Sequence, residues 1–439
     1  MSPLRLTIFH TNDMHGNVEI LPPLSSLRRR LRGEALAEGR QTFFWDAGDA
    51  ADRRLEICRA TKGAAFYPIL NAMGYDLQTM GNAISLPYGP QAMVKVAARA
   101  EFPILAANFR DDMGPQPEGL KEAALLDLKD GVRMGVIGLT SEWGGMYEVF
   151  GLHFPDAHRL AEELMHQLVR QGAALIVVLS HLGLEADRRL AEAVPGIDLI
   201  IGAHSHDLLE RGVQVGETLI AQAGEYGLHL GRVDLALDPR SGRILERQAR
   251  VIEVPADEAD DPGVVSAIEA ARQEVTTLLR EEIGTLSVPL GVAHFEECDM
   301  GNMAADALRA HMAAQIAVVA SGHFHQGLPV GRVTQGDLNQ ACFSTANPGV
   351  SLVSGRQIIA AMEKGLDRFH SRQEPGGFRG TPVGMPQISG LRIEYGPDRR
   401  PGERIRSISI DDRRLDPAGE YSLAHTDAEI HDEIGYLAL

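Results

Sequence analysis

The sequence predicts an α/β fold of layered sheets, followed by a second, smaller unit of mixed strands and helices. Three observations carry that expectation. Short apolar runs alternate with helix-patterned stretches through the first half of the chain, as in strands joined by helices. Several runs hold apolar residues at consecutive positions, which suits strands buried on both faces. The chain has 439 residues and its pattern breaks around residues 237–263, so it is long for one core and divides naturally in two.

The elements follow in order. "LRLTIFH", "TFFWDAG", "DLQTMG", "PILAANF", "VRMGVIGL", "ALIVVLSH" and "IDLIIGAHSH" read as strands. Between the last pairs of these, "HRLAEELMHQLVRQG" carries Leu160, Leu164 and Leu168 at helical spacing and stops at Gly172. "SLRRRLRG" reads as a solvated helix face. The break consists of a turn, "DPRSGR", and an acidic, Pro-bearing stretch, "VPADEADDPG". Val264, Val265, Ile268, Val275, Leu278 and Leu279 then share a helical face, which predicts a helix to about Ile283. The chain thus divides into a first domain over 1–255, a bridging helix over 256–283 and a second domain over 284–439. "SRQEPGGFRGTP" reads as a loop.

Composition excludes several classes. A net charge of −18 argues against a groove for a nucleic-acid polymer, which clustered Lys and Arg would line. It does not exclude a small phosphorylated ligand, because bound cations can invert the local field. Cys58, Cys298 and Cys342 are odd in number, far apart and without CxxC spacing, unlike a disulfide framework or a zinc–thiolate site. No apolar run approaches the roughly 18–20 residues of a membrane helix, so no membrane partner is expected. "MSPLRLTIFHTND" enters a strand without the basic start, apolar stretch and cleavage site of a secretory signal. A cytoplasmic location is the expectation.

Polar residues collect at the ends of the predicted strands. Asp13 and His15 follow the first; at i and i+2, an extended backbone would put both on one side. Asp49 follows Gly48 after the second, and Asn82 follows Gly81 after the third. "IVVLSHLG" delivers His181, and "DLIIGAHSH" delivers His204 and His206, again at i and i+2. "GDAAD" also offers Asp46 and Asp52, the former placed to cap or orient its turn. Open α/β sheets place their sites at this edge. Imidazole with carboxylate and amide oxygen suits two divalent cations of the Mn, Zn, Fe or Co type. Such a pair clamps a phosphoryl group and generates hydroxide at neutral pH.

The order D-x-H, G-D, G-N, H, G-x-H-x-H resembles the calcineurin-like metallophosphoesterases. "TIFHTNDMHG", "SHLGLEADRRLAEAVPGIDLIIGAHSH" and "GDLNQACFSTANPGVSLVSGRQI" extend the likeness. Together they resemble the bacterial 5′-nucleotidase, 2′,3′-cyclic phosphodiesterase and UDP-sugar hydrolase family, and within it the signal-less, cytoplasmic members. The resemblance implies a layered α/β/β/α sandwich with a smaller α+β 5′-nucleotidase-type C-terminal domain. It implies that Asp13, His15, Asp49 and His206 hold one ion and that Asp49, Asn82, His181 and His204 hold the other, Asp49 bridging. It implies attack of metal-bound hydroxide on a nucleotide or similar small phosphorylated substrate: a monoester, cyclic diester or sugar nucleotide.

The sequence departs from that family at two places. Where the family reads G-N-H-E-F-D-Y-G, this chain reads Gly81-Asn82-Ala83-Ile84-Ser85-Leu86-Pro87-Tyr88-Gly89. The metal-binding Asn is kept and the catalytic His–Asp dyad is missing, so a metal-loaded phospho-ligand binder with weakened catalysis is the alternative reading. Tyr88, in the same loop, is one substitute. "SGHFHQG" supplies two more, His323 and His325, where the family's phosphate-gripping segment falls, with His325 in the place of its Arg. The two-Phe nucleobase clamp of the family is not evident: Met385 stands where one Phe is expected, leaving Phe343 and Phe378 as candidate substrate contacts.

Overall fold

The apolar runs of the first half become the strands of two stacked sheets. The computed structural model describes residues 2–111, 114, 116–143, 145–148, 150–342, 344, 346–375, 380–430 and 435–436. One sheet has seven strands, in the order Ile244–Glu253, His229–Leu237, Leu4–Thr11, Gln41–Asp46, Leu77–Thr79, Ile104–Leu105, Leu120–Lys121. From Leu4–Thr11 onward its neighbours are parallel. The other has six, in the order Val213–Val215, Thr218–Ala221, Leu199–Ile201, Leu175–His181, Arg133–Thr140, Ala123–Asp127, parallel through its middle four.

The strand Leu175–His181 shows why the apolar residues run consecutively. Leu175, Val177 and Leu179 enter the core between the sheets, with Leu6, Ile8, Trp45 and Val136. Ile176 and Val178 enter a second core, beneath Leu160, Leu164 and Leu168 of the helix Ala157–Arg170 and Leu190 of the helix Leu184–Ala193. Each face buries its own set, so no polar alternation survives. The helix Ala157–Arg170 begins at Asp156, whose carboxylate accepts the Arg159 N–H (2.8 Å).

The helix Leu21–Ala37 packs on the first sheet, giving the layers α/β/β/α. Here one sequence expectation fails. Arg29, Arg30 and Arg32 are exposed, but Arg28 is buried. Its guanidinium lies 4.8 Å from the Phe44 ring centroid and donates to the Met73 carbonyl. Helical periodicity turned one arginine of the run inward, where its planar head has a carbonyl and a ring to pair with.

The chain divides into two units, Met1–Thr276 and Thr277–Leu439. The helix Pro262–Leu279 buries Val264, Ile268, Ala271 and Val275. It stops short of the expected Ile283, which instead enters the strand Glu282–Leu286, paired with Gly331–Thr334. Gly284 and two β-branched neighbours, Ile283 and Thr285, favour that extended backbone. In the second unit a four-stranded sheet runs Pro348–Ser354, Glu420–Thr426, Ile316–Ala320, Pro386–Ser389. Its core gathers Ile316, Val318, Val353, Ile358, Met362, Leu423 and Tyr436. Among the described residues, no helix is long and apolar enough to cross a membrane.

Candidate metal centre

All seven expected donors stand at C-terminal ends of parallel strands. Asp13 and His15 follow Leu4–Thr11, Asp49 follows Gln41–Asp46, and Asn82 begins the helix Asn82–Ala97 just after Leu77–Thr79. His181 ends its strand, and His204 and His206 follow Leu199–Ile201. The register aligns these ends: Thr11 lies beside Asp46, and Leu179 beside Ile201.

The backbone that presents them is not extended, which corrects the i, i+2 argument. Asp13, His15, Asp49, His204 and His206 have φ of 49°, 48°, 54°, 74° and 60°. Left-handed backbone is uncommon outside glycine, although Asp, Asn and His adopt it more readily than most. The loops lock one another into this shape. The Asp13 N–H donates to the Gly48 carbonyl (2.9 Å), and the His15 N–H to that of Asp49 (2.8 Å). The His204 N–H donates to the Asp13 carboxylate (2.9 Å), and the Tyr226 N–H to the Asp13 carbonyl (2.8 Å). Asn12 ties Asp13 to the Ala223–Gly224 turn through both ends of its amide.

Nε2 of His15 lies 3.1 Å from Nε2 of His206. Asp13 Oδ1 is 3.9 Å from the first and 3.6 Å from the second. Nε2 of His181 lies 3.2 Å from Asp49 Oδ2 and 3.2 Å from Asn82 Oδ1. The His204 ring sits 5.1 Å from that of His181. Two donor groups result, Asp13–His15–His206 and Asp13–Asp49–His181, each with its ligand atoms within 4.8 Å of one another. Asp13 is common to both.

The other ring nitrogens show how the imidazoles are aimed. His15 Nδ1 faces Asp52 Oδ2 (3.0 Å), His181 Nδ1 faces the Ala47 carbonyl (2.9 Å), and His206 Nδ1 faces Glu225 Oε2 (2.8 Å). Each partner accepts, so each Nδ1 carries the proton and each Nε2 turns a lone pair inward. Two lone pairs facing each other across 3.1 Å, beside buried carboxylates, form a donor set that a cation fits.

Electrostatics agree. Burial, followed by the nearby Asp49 charge, drives the Asp13 carboxyl upward against His181 and Asn12. Burial also works to raise Asp49, but His181 and the Ala83 N–H (2.7 Å) outweigh it and hold it below the usual carboxylate range. Burial and the neighbouring His181 push His204 down to about 4, which leaves a neutral ligand nitrogen. Asp46 is pushed up to about 7 by burial. It accepts from Thr11 Oγ1 (2.7 Å), the Gly48 N–H (3.0 Å) and Gln78 Nε2 (2.8 Å), and so shapes the turn that carries Asp49. Gly81 is needed beside that turn, because a Cβ there would collide with the Asp49 carboxylate.

The remaining candidates fall elsewhere. Tyr88 packs with its ring centroid 5.9 Å from Lys62 Nζ, and its hydroxyl oxygen is buried. His323 is not presented as a catalytic acid. It is 4% exposed, with Nε2 against Glu429 Oε1 (2.9 Å), because a carboxylate 106 residues away needs a buried partner. His325 is half-buried, with its N–H donating to the Ala341 carbonyl (2.8 Å). Phe343 and Phe378 lie outside the described residues. Sequence reasoning missed Glu225, Ser141, Trp143 and Tyr226. Ser141 Oγ donates to Asn82 Oδ1 (3.3 Å), and the Tyr226 ring stands 6.0 Å from that of His15. No motif marks them; "GLTSEWGG", at the end of a central strand, was the available hint.

Fold and donor set together define a metallophosphoesterase-type hydrolase. Residues 282–437 match the family model described as the 5′-nucleotidase C-terminal domain. The chain is 28% identical over 429 residues to a protein called the uncharacterized metallophosphoesterase YunD of Bacillus subtilis (strain 168), covering 96% of this chain and 92% of that one. It is 29% identical over 472 residues to the trifunctional nucleotide phosphoesterase protein YfkN of the same organism, covering 96% of this chain and 31% of that one. The crystal structure of a 5′-nucleotidase precursor from Thermus thermophilus shares the fold, with a TM-score of 0.55 and 24% identity over 99% of this chain and 92% of that one. The chain belongs to the 5′-nucleotidase family of metallophosphoesterases and is a hydrolase of ester bonds.

Proposed function

We propose that the protein is a dinuclear metal-dependent phosphoester hydrolase acting on a nucleotide or similar small phosphorylated substrate. One observation carries the reading: three imidazole Nε2 atoms converge on buried carboxylates while each Nδ1 is committed to an acceptor. Asp13, His15, His206 and Asp49 would hold one divalent ion, and Asp49, Asn82, His181 and His204 the other. Ions bound there supply charge neutralisation for a phosphoryl group and acidify water.

The chain's own residues do the rest. Asp52, Glu225 and the Ala47 carbonyl keep the imidazoles in the ligand tautomer. The Ala83 N–H fixes the Asp49 carboxylate that stands between the two ligand sets. Ala83 offers no proton to a leaving group, so we assign that role to His325 or to the leaving group's own acidity. Phosphodiesters and other esters with acidic leaving groups need less protonation and are favoured. The test is a panel of monoesters, cyclic diesters and sugar nucleotides assayed with Mn²⁺, before and after chelation. Metal-dependent hydrolysis of at least one class supports the reading; none, with metal bound, overturns it. Ala83 also favours a second reading, a metal-loaded protein that binds a phospho-ligand and turns it over negligibly. Tight ligand binding with no hydrolysis in the same panel would establish it.

A further inference from the structure

The chain holds two tryptophans. Trp45 is fully buried between the sheets. Trp143 is 40% exposed, although an indole of its size is a costly surface to leave in water. It follows Arg133–Thr140, a central strand of the second sheet that supplies none of the seven donors. Its ring meets His204 edge to face, with centroids 5.9 Å apart and planes at 88°.

The ring is held in register with the donors. Trp143 Nε1 donates to Ser141 Oγ (3.3 Å), and Ser141 Oγ donates to Asn82 Oδ1 (3.3 Å). Thus the two groups that touch the indole, His204 and Ser141, are a proposed ligand of the second ion and a residue bonded to another. An aromatic face fixed in this way beside a phosphoryl-binding centre lies within reach of whatever ester group is joined to that phosphoryl.

We propose that Trp143 is a stacking platform for a planar aromatic ring of the substrate, supplied by the first unit itself, and that it sets a preference for esters bearing a nucleobase or an aryl group. The inference rests on the hydrolase reading above for its site and deepens it by naming the substrate class. Any flat ring has a π-face to offer, so stacking fixes the class without selecting one base. Alanine substitution at such contacts typically costs about tenfold in binding.

The experiment uses the full-length, Mn²⁺-loaded protein and three substrates: adenosine 5′-phosphate, p-nitrophenyl phosphate and glycerol phosphate. For Trp143→Ala, the ratio of kcat/KM for each ring-bearing ester to that for glycerol phosphate should fall about tenfold, mainly through KM, and Trp143→Phe should restore most of it. A fall for adenosine 5′-phosphate alone would identify the ring as a nucleobase, and a fall for both ring-bearing esters would identify a general aromatic subsite. Titration with adenosine gives a readout independent of turnover. It should quench the fluorescence of the parent, and that quenching should vanish in Trp143→Ala while Trp45 still emits. An equal loss across all three substrates would mean that Trp143 only steadies His204, and would overturn the proposal, as would absent quenching. If the parent hydrolyses none of the three yet adenosine still quenches, the hydrolase reading fails while the aromatic subsite stands.

Discussion

Removal of Asp52 should loosen the metal centre without unfolding the protein. Its Oδ2 accepts from His15 Nδ1 at 3.0 Å, and the two side chains are only 10% and 13% exposed. A hydrogen bond to a charged group is worth about 1.5–3 kcal/mol, and groups that orient metal-bound imidazoles typically contribute about 10–100-fold in affinity. Asp52→Ala should therefore weaken Mn²⁺ binding roughly 10–100-fold, measured by competition with a chelator of known affinity, with far-ultraviolet circular dichroism unchanged. Asp52→Asn should recover part of the loss, since the amide oxygen still accepts the Nδ1 proton. Glu225→Ala supplies the internal comparison. Its carboxylate meets His206 Nδ1 at 2.8 Å but is 38% exposed, so screening reduces its worth to about 0–1 kcal/mol, a loss of no more than about fivefold. If Asp52→Ala binds Mn²⁺ as tightly as the parent, or if Glu225→Ala costs more, then the Nδ1 partners do not aim these ligands and the argument for the centre fails.

Other perturbations follow from the same geometry. Gly81→Ala would drive a methyl into the Asp49 carboxylate and should lower turnover by about a hundredfold, as displaced reacting groups do; initial-rate kinetics with Mn²⁺ checks this. Leu179→Ala empties a fully buried site between the sheets and should cost about 2–5 kcal/mol in denaturant unfolding. For Glu429, burial works to raise the carboxyl, but His323, Thr426 and the Ala320 N–H outweigh it and hold it below its ordinary value. Its stabilisation is thus complete above the ordinary glutamate pKa and is lost as pH falls through the depressed folded value. Glu429→Gln should flatten that acid-side decline in thermal melts and cost about 1–3 kcal/mol near neutrality.

Strand order and the metal ligands were legible in the sequence for one reason: both are written at strand ends. The buried strands announce themselves as unbroken apolar runs, and each is punctuated by Asp, Asn or His. The supporting groups were not legible because they reach the site through folding alone. Glu225 meets His206, and Ser141 meets Asn82, across long stretches of chain. His323 misled for the opposite reason. Its motif stands where a phosphate grip belongs, yet Glu429, far along the chain, claims its ring. Arg28 shows that a charge run does not reveal which member faces inward.

The positive φ angles at Asp13, His15, Asp49, His204 and His206 bear on any attempt to move this centre elsewhere. Copying the seven side chains onto ordinary strand ends would aim them wrongly, because the direction of each is set by a bend that most residues resist. A transplant must carry the mutually bonded loops as a set, and in the native chain those loops gain their shape only once both sheets have brought them together. Apprehension of metal is therefore a late event in the assembly of this protein, and a chelated, fully folded chain should retain most of the site's shape.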